Sequence, residues 1–357
     1  MKKTLFARSK EALISRVNFL NCCVGPMAVT GSTRMQAATV QLSVLAWTLL
    51  AAGATLHSEP FLSFEDFIYL LEDFLAEIDP EACAEFSQFE LGAYRKEPIP
   101  DYLIYKTPPD LALNVATDTT ERSPTFNIPY FENERDPLEK CSWCRIVIEG
   151  ETDRLLAITQ MLSRPPEVLD WREDPKFYRT RFEYLMGYDL TASIIEKRKA
   201  YMPGSSAREI AIESLGGKFW IRFGEKEIFF NLPSFRHRKI SSAAQRLLLQ
   251  LALKLVLNMH STLVAGAMGL YHGNMMTFVR PSNKKLINRG IEFSLLVLKQ
   301  TNLSELGLPE DFLKDLSRAE VASYFYQAMK DLFPEESIVF KTRDLVLQFS
   351  GFPAKNF

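Results

Sequence analysis

The chain has 357 residues, of which 47 % are hydrophobic and 24 % charged, a composition that excludes a disordered chain, a collagen-like chain and a coiled-coil rod. At about 150 residues per domain, that length suggests two domains or one large domain with appendages. Its 42 Lys and Arg stand against 44 Asp and Glu, so no bulk positive charge exists to hold a nucleic acid backbone.

Residues 1–20 place Leu5, Leu13, Ile14, Val17 and Leu20 at helical spacing between charged residues. Met1-Lys2-Lys3 is followed at once by Arg8, Lys10 and Glu11, which leaves no apolar h-region for a secretory signal. Cys22 to Thr30 reads as a strand end or loop, and Gly31-Ser32-Thr33 offers hydroxyls to cap the helix expected from about Arg34 to Gly53. The stretch Ala37 to Leu56 carries no formal charge. It is rich in alanine and holds Thr39, Gln41, Ser43, Thr48 and Thr55, so it reads as a buried helix of a soluble domain rather than a membrane span. Glu65 to Glu77 is amphipathic, with Ser63 as its cap and Phe67, Leu70, Leu71, Phe74 and Ile78 on one face.

After Pro98 and Pro100 the pattern turns to strands alternating with helices. Tyr102 to Tyr105 and Arg145 to Ile148 read as strands, Leu111 to Val115 as a helix or strand, and Thr152 to Leu162 as a helix. Pro124 to Pro137 reads as a charged, proline-punctuated loop. Phe219 to Phe223 and Glu227 to Phe230 flank Gly224-Glu225-Lys226 as a hairpin or strand pair. Ser241 to Leu270 and Pro281 to Lys299 read as long helices, and 303–357 as small helices joined by turns. This order argues for α/β architecture. The apolar helix opened by Ser32 has a weak echo in Ala243 to Leu270.

The five cysteines are too few for a disulfide scaffold and odd in number, which fits a reducing, cytoplasmic setting. Cys141-Ser142-Trp143-Cys144 is a lone C-x-x-C. None of His57, His237, His260 and His272 lies near it in sequence, so neither metal nor redox cofactor is expected, and the pattern reads as two partly buried thiols. Arg236-His237-Arg238-Lys239 reads as a solvated basic face or an anion contact.

Five segments carry a resemblance. Thr30-Gly31-Ser32-Thr33-Arg34-Met35 is similar to the G-S-[ST]-R-[ML]-K segment of sugar isomerase (SIS) domain proteins, namely N-acetylmuramic acid 6-phosphate etherases and glucokinase regulatory proteins. Lys254 to Thr262 resembles their K-L-V-L-N-M-x-S-T helix. Gly273-Asn274-Met275-Met276 and Ser282-Asn283-Lys284-Lys285-Leu286 resemble the G-N-L-M and T-N-x-K-L segments that follow it. Asp118-Thr119-Thr120-Glu121-Arg122-Ser123-Pro124-Thr125-Phe126 resembles the etherase D-[AT]-[ST]-E-C-P-P-T-[FY], whose glutamate is a proposed acid/base residue; Glu121 stands in its place. The order of these segments resembles the tandem arrangement of the regulatory proteins. It implies that 1–57 closes a first lobe, 58–98 is a helical connector, 99–300 is a second lobe and 301–357 is a helical cap. The implied fold is a layered parallel sheet with helices on both faces.

The departures narrow the implied chemistry. Where the family has a glycine-rich phosphate loop, Tyr105 to Val115 has Pro108 and Pro109 and no glycine, so backbone N–H groups have no open path round a phosphate there. A second etherase glutamate has only a superficial echo in Glu149-Gly150-Glu151, Tyr184 to Ser193 is a poor match for the family's second hydroxyl loop, and Gln36 and Gln41 replace lysines. Elimination of a lactyl ether needs one group to take a proton and one to give it, and Glu121 supplies one.

The resemblance thus implies recognition of a phosphorylated sugar or amino sugar, as in a sensor or regulator, with a sugar kinase or self-association as the partner. An etherase-like lyase and a ligand-free interaction lobe are the alternatives. The residues expected to act are Ser32 and Thr33 at a helix start, Arg34 on a phosphate or a core carboxylate, Glu121 on a sugar hydroxyl, as a catalyst or as the cap of a turn before Pro124, and Lys254 with Asn258 one turn on. Lys254 sits in an apolar run, where a charge must be paired or snorkel to the helix edge. His260 reads as structural.

Overall fold

The structure is a computed structural model that describes residues 22, 24–59, 61–128, 142–165, 189–201, 203–232, 241–306, 309, 313–314, 316–333 and 336–349. The elements are α1 (Gln36–Leu56), α2 (Phe64–Ala76), α3 (Pro80–Tyr94), β1 (Tyr102–Thr107), α4 (Pro109–Phe126), β2 (Cys144–Ile148), α5 (Arg154–Leu162), α6 (Ser193–Tyr201), β3 (Ala207–Leu215), β4 (Lys218–Phe223), β5 (Lys226–Asn231), α7 (Ser242–Ala267), α8 (Lys284–Gln300), α9 (Arg318–Lys330) and α10 (Ile338–Phe349). The expectations for 1–20 and for Arg236 to Lys239 lie outside the described residues, as do Cys141 of the C-x-x-C pair and most of the Pro124 to Pro137 stretch.

The fold is mixed α/β around one five-stranded sheet of order β2-β1-β3-β4-β5. β1 runs parallel to both β2 and β3, with Tyr105 opposite Ile146 on one side and Ile210 on the other. The expected all-parallel sheet is corrected by β3, β4 and β5, which pair antiparallel. The reason is local. Gly216-Gly217 and Gly224-Glu225 leave two-residue turns, with φ +58° and +80° at the first pair and +58° at Gly224. Such turns are too short for a crossover and match the twist of a hairpin. The expected strand pair about Gly224 is therefore present, and the sheet is half parallel and half meander.

Alternation sorts each strand's side chains onto two faces. Leu103, Tyr105, Ile146, Ile148, Ile210, Ile212, Phe219, Ile221, Phe223 and Phe230 turn to one face and form the main core with α3, α4, α5 and α7. Tyr102, Ile104 and Val147 turn to the other, where Ile194 of α6 covers them. Residues 64–94, within the 58–98 stretch expected as a helical connector, contribute Phe74, Phe86, Ala93 and Tyr94 to the main core. Helices α8, α9 and α10 close over Met276, Val279 and Val29 as a second cluster, tied on by Ser337 Oγ donating to the Thr277 carbonyl at 2.8 Å.

Most helix starts are written in side chains. Ser63 accepts from Asp66 N at 3.1 Å, Asp153 from Leu156 N at 2.7 Å and Asn283 from Leu286 N at 3.1 Å, and Ser317 with Glu320 makes a reciprocal capping box. Among the described residues two helices, α1 and α7, are long and apolar enough to cross a membrane by length and composition. They differ in burial. In α7, 72 % of the most apolar window is covered, because one flank meets the sheet, another meets Phe67, Leu70 and Leu71 of α2, and a third meets α1 and α4. In α1 only 11 % is covered, which corrects the expectation of a buried helix. Its Thr39, Ser43 and Ala54 are buried, while its leucines lie largely on the exposed side.

Candidate functional site

Four of the five segments that carry the resemblance are joined through Thr30 to Asn274–Met276 and through Arg34 to Asp118 and Lys254. Thr30 forms a parallel bridge to Met275; its N–H donates to the Asn274 carbonyl at 2.5 Å, and its carbonyl accepts from Met276 N at 3.3 Å. The chain then turns at Gly31, where φ is +97° and a Cβ would lie 2.7 Å from the Phe293 ring and 2.8 Å from Arg289 Cδ. Only glycine passes this point without displacing α8. The turn delivers Arg34 to the flank of α4 and α7, where it is buried.

Ser32 and Thr33 do not cap α1. Position 35 holds the N-cap in a helical conformation with no side-chain bond, Ser32 Oγ is buried without a partner among the described residues, and Thr33 is exposed. Glu121 likewise caps no turn. Helix α4 runs on through Pro124 to Phe126, so Glu121 sits inside it, one turn after Asp118.

Asp118 organises the cluster. Its Oδ1 pairs with the Arg34 guanidinium and accepts from Asn258 Nδ2 at 2.9 Å, with Ser261 Oγ at 2.8 Å. Its Oδ2 accepts from Arg122 Nε at 3.0 Å and Nη2 at 2.9 Å. Arg122 also donates to Glu90 at 2.5 Å and to Tyr105 Oη at 3.1 Å. Glu90 Oε2 then takes the Tyr105 hydroxyl at 2.6 Å and lies 2.6 Å from His260 Nε2. His260 is completed by Ser87 Oγ at 3.2 Å and by the ring of Phe86, stacked at 3.6 Å. Its role is structural.

Lys254 neither snorkels nor stands free. Its Nζ donates to the Arg34 carbonyl at 2.7 Å, to Asn258 Oδ1 at 2.8 Å and to Thr39 Oγ1 at 3.1 Å. Three donors are filled by three acceptors, so this lysine fastens the start of α1 to α7 and has no N–H left for a phosphate. That corrects its expected place as a ligand contact, and Asn258 is likewise spent on Lys254 and Asp118.

Three cations, Arg34, Arg122 and Lys254, are interleaved with the three carboxylates of Asp118, Glu90 and Glu121, a balance without which their burial would be prohibitive. Burial pushes the Asp118 and Glu90 carboxyls up, but Arg34 and Arg122 outweigh it at Asp118, Arg122 and His260 outweigh it at Glu90, and both acids stay ionised below their ordinary range. Arg122 is held above its ordinary value in spite of burial, by Glu90 first. Arg34 is lowered, because its burial exceeds what Asp118 and Glu121 return. Burial also raises Glu121 and lowers Lys254, and it pushes the Cys144 thiol up to about 12, out of reach of thiolate chemistry at neutral pH.

The outer edge of the cluster is where groups remain open. Arg34 Nε lies 3.6 Å from Glu121 Oε2, an ion pair too long for a hydrogen bond. Arg34 Nε and Nη1, Ser32 Oγ and Glu121 Oε2 are buried with no hydrogen-bond partner among the described residues. The Glu121 side chain is 31 % exposed, whereas Arg34 and Ser32 beside it are buried. The cluster could supply Glu121 as one acid–base group, but its carboxylate neighbour Asp118 is ionised and saturated with donors. Glu151 is bound into the turn before α5, accepting from Thr152 N and Asp153 N at 2.8 and 2.9 Å.

Comparison with models of known protein families gave no match, and comparison with curated proteins gave none either. The residues that sequence reasoning passed over are Asp118, Arg122, Glu90 and Tyr105. A signal for two of them existed. Asp118 and Arg122 stand four apart, between Val115 and Phe126, which is the spacing of an ion pair on one helix face.

Proposed function

We propose that this protein is a SIS-type lobe that binds a phosphorylated sugar at the outer edge of the Arg34 cluster, without turnover, as a sensor or regulator of sugar-phosphate metabolism. The observation that carries the reading is the set of unused polar atoms there. Arg34 Nη1 and Ser32 Oγ are buried donors with no acceptor among the described residues, and Glu121 Oε2 accepts no hydrogen bond, with only the long 3.6 Å ion pair to Arg34 Nε beside it. Leaving such groups unpaired costs about 1–3 kcal/mol each, more for charged ones, and a ligand with an anionic end and a hydroxyl would satisfy all three. A phosphate suits Arg34, whose burial is under-compensated by its two carboxylates. A sugar hydroxyl suits Glu121.

The family reading draws its support from the meeting of Arg34, Asp118 and Lys254 in one cluster, with Thr30, four residues before Arg34, bridged to the Asn274–Met276 segment. Binding without turnover follows from the chemistry: elimination needs a second proton-transfer group, and the saturated Asp118 is not one.

A thermal-shift panel tests the proposal. Hexose and amino-sugar 6-phosphates, N-acetylmuramic acid 6-phosphate among them, should raise the melting temperature, and the unphosphorylated sugars should not. Turnover of the last compound, lost in Glu121→Gln, would replace the sensor with a lyase. A flat panel would leave an interaction lobe.

A further inference from the structure

Arg289 stands outside the charge balance of the Arg34 cluster. It sits on α8 one helical turn before Phe293, and with that ring it meets the turn at Gly31. Its Cδ lies 2.8 Å from where a Cβ at Gly31 would stand, so its stem rests on the backbone one residue before Ser32. Only glycine admits the stem there. The side chain is half-buried, yet among the described residues its guanidinium makes no hydrogen bond, ion pair or ring contact. Glu292, the acid three residues on, is bound to Arg318 at 2.6 Å. Burial lowers Arg289 from its ordinary value, and no carboxylate offsets it.

Its neighbours are placed differently. Arg34, Arg122, Arg208 and Arg318 each have a carboxylate within ion-pair distance, and Arg280 donates to Ser123 Oγ at 3.2 Å. A guanidinium drawn out of water without such a partner is costly, and an anion arriving from outside removes the cost. The cluster beside it needs a further cation for the same reason. Its three cations are matched by three carboxylates, whereas a phosphate monoester brings about −1.5 to −2 charges at pH 7. Seated on Arg34 alone, that anion would stand beside Glu121 with its charge in excess. A second guanidinium next to Ser32 balances it. Two planar guanidinium groups with a hydroxyl between them offer more donors than the two oxygens of a carboxylate use, and suit the three free oxygens of a phosphate monoester.

We propose that Arg289 is the outer half of a phosphate seat, closing from α8 on a phosphoryl group that Arg34 Nη1 and Ser32 Oγ hold from within. This inference rests on the ligand reading above and names the residue that selects for the phosphate.

Isothermal titration tests it with the 6-phosphates of glucose, fructose, N-acetylglucosamine and N-acetylmuramic acid, with the unphosphorylated sugars and with inorganic phosphate. Arg289→Met keeps the stem and removes the charge. It should weaken the best-bound sugar phosphate by about 10-fold or more and flatten the dependence of affinity on salt, and Arg289→Lys should recover part of the loss. Because Arg289 has no partner among the described residues, the ligand-free Arg289→Met should melt no lower than wild type. A melting temperature lower by several degrees in both Arg289→Met and Arg289→Gln would mark a structural arginine and overturn the proposal. Equal affinity in wild type and Arg289→Met would overturn it and leave the ligand reading standing, whereas a wild type that binds no phosphate compound would overturn both. Inorganic phosphate bound as tightly as any sugar phosphate, with the same loss in Arg289→Met, would support the seat and refute the sugar.

Discussion

Asp118→Asn isolates what the buried cluster contributes. The substitution conserves volume, so no cavity forms, but it removes the charge between Arg34 and Arg122 and turns one acceptor oxygen into a donor. Five donors converge on this carboxylate: Arg34, Asn258 and Ser261 at Oδ1, and two nitrogens of Arg122 at Oδ2. Wherever the new NH2 points, it meets N–H groups. Breaking a buried ion pair from one side costs about 3–5 kcal/mol. Over 357 residues at about 2.1 cal/mol/K each, a cooperative transition should fall by about 4–7 °C. Differential scanning calorimetry and urea denaturation measure both quantities.

The pH dependence carries the sign. Arg34 and Arg122 overcome burial and hold the Asp118 carboxyl below its ordinary value. Its contribution is therefore present above the unfolded value, about 3.9, and is lost as pH falls through the folded one. The variant should lose less stability than wild type on acidification below about pH 4. A second substitution, Arg34→Met, should recover part of the loss by removing a cation left without its anion, with a coupling of at least about 0.5 kcal/mol. Asp118→Asn within about 0.5 kcal/mol of wild type, or an unchanged acid limb, would refute the reasoning.

Two further outcomes follow from single positions. Gly31→Ala should cost about 2–4 kcal/mol in urea denaturation, from a left-handed φ and a Cβ driven into the Phe293 ring; a cost below about 0.5 kcal/mol would contradict the packing of Gly31 on α8. Glu121→Gln should gain stability relative to wild type on going from pH 4 to pH 7. Burial raises the Glu121 carboxyl, so its favourable protonated state is full below about 4.3, the unfolded value, and lost as pH rises through the folded one, whereas glutamine has no such loss. Denaturant midpoints at the two pH values check this, and a difference of opposite sign contradicts it.

Local signals in the sequence located the elements well. Ser63 capped its helix, the apolar runs at Tyr102 and Arg145 became β1 and β2, and Gly224 marked a hairpin. The sheet's direction was legible too, in Gly216-Gly217, but the run from Ala207 was not read as a strand, so its two-residue link to β4 was missed. Pro124 misled in another way. A proline two residues before a helix end forfeits one hydrogen bond and does not stop the helix, so α4 runs on to Phe126, past Pro124, where the loop had been expected to begin.

The site was legible as a set of residues and illegible as a set of roles. Arg34, Glu121, Lys254 and Asn258 do meet, as the resemblance implied. That Lys254 and Asn258 are consumed by the fold depends on Arg34's carbonyl and on Asp118, partners more than a hundred residues away in sequence. No local pattern reports such partners. The exposure of α1 was hidden for the same reason, because an apolar run does not state which of its sides finds a neighbour.

Ser32→Ala offers the most direct test of ligand binding at this site. Ser32 Oγ bonds to nothing in the free protein among the described residues, so its removal should leave stability within about 0.5 kcal/mol. Isothermal titration with the sugar phosphate that gives the largest thermal shift should find the affinity of the variant weaker by about 10-fold or more, the worth of one hydrogen bond to a charged group. Equal affinity in wild type and Ser32→Ala, or no heat with any phosphorylated sugar, would contradict the account.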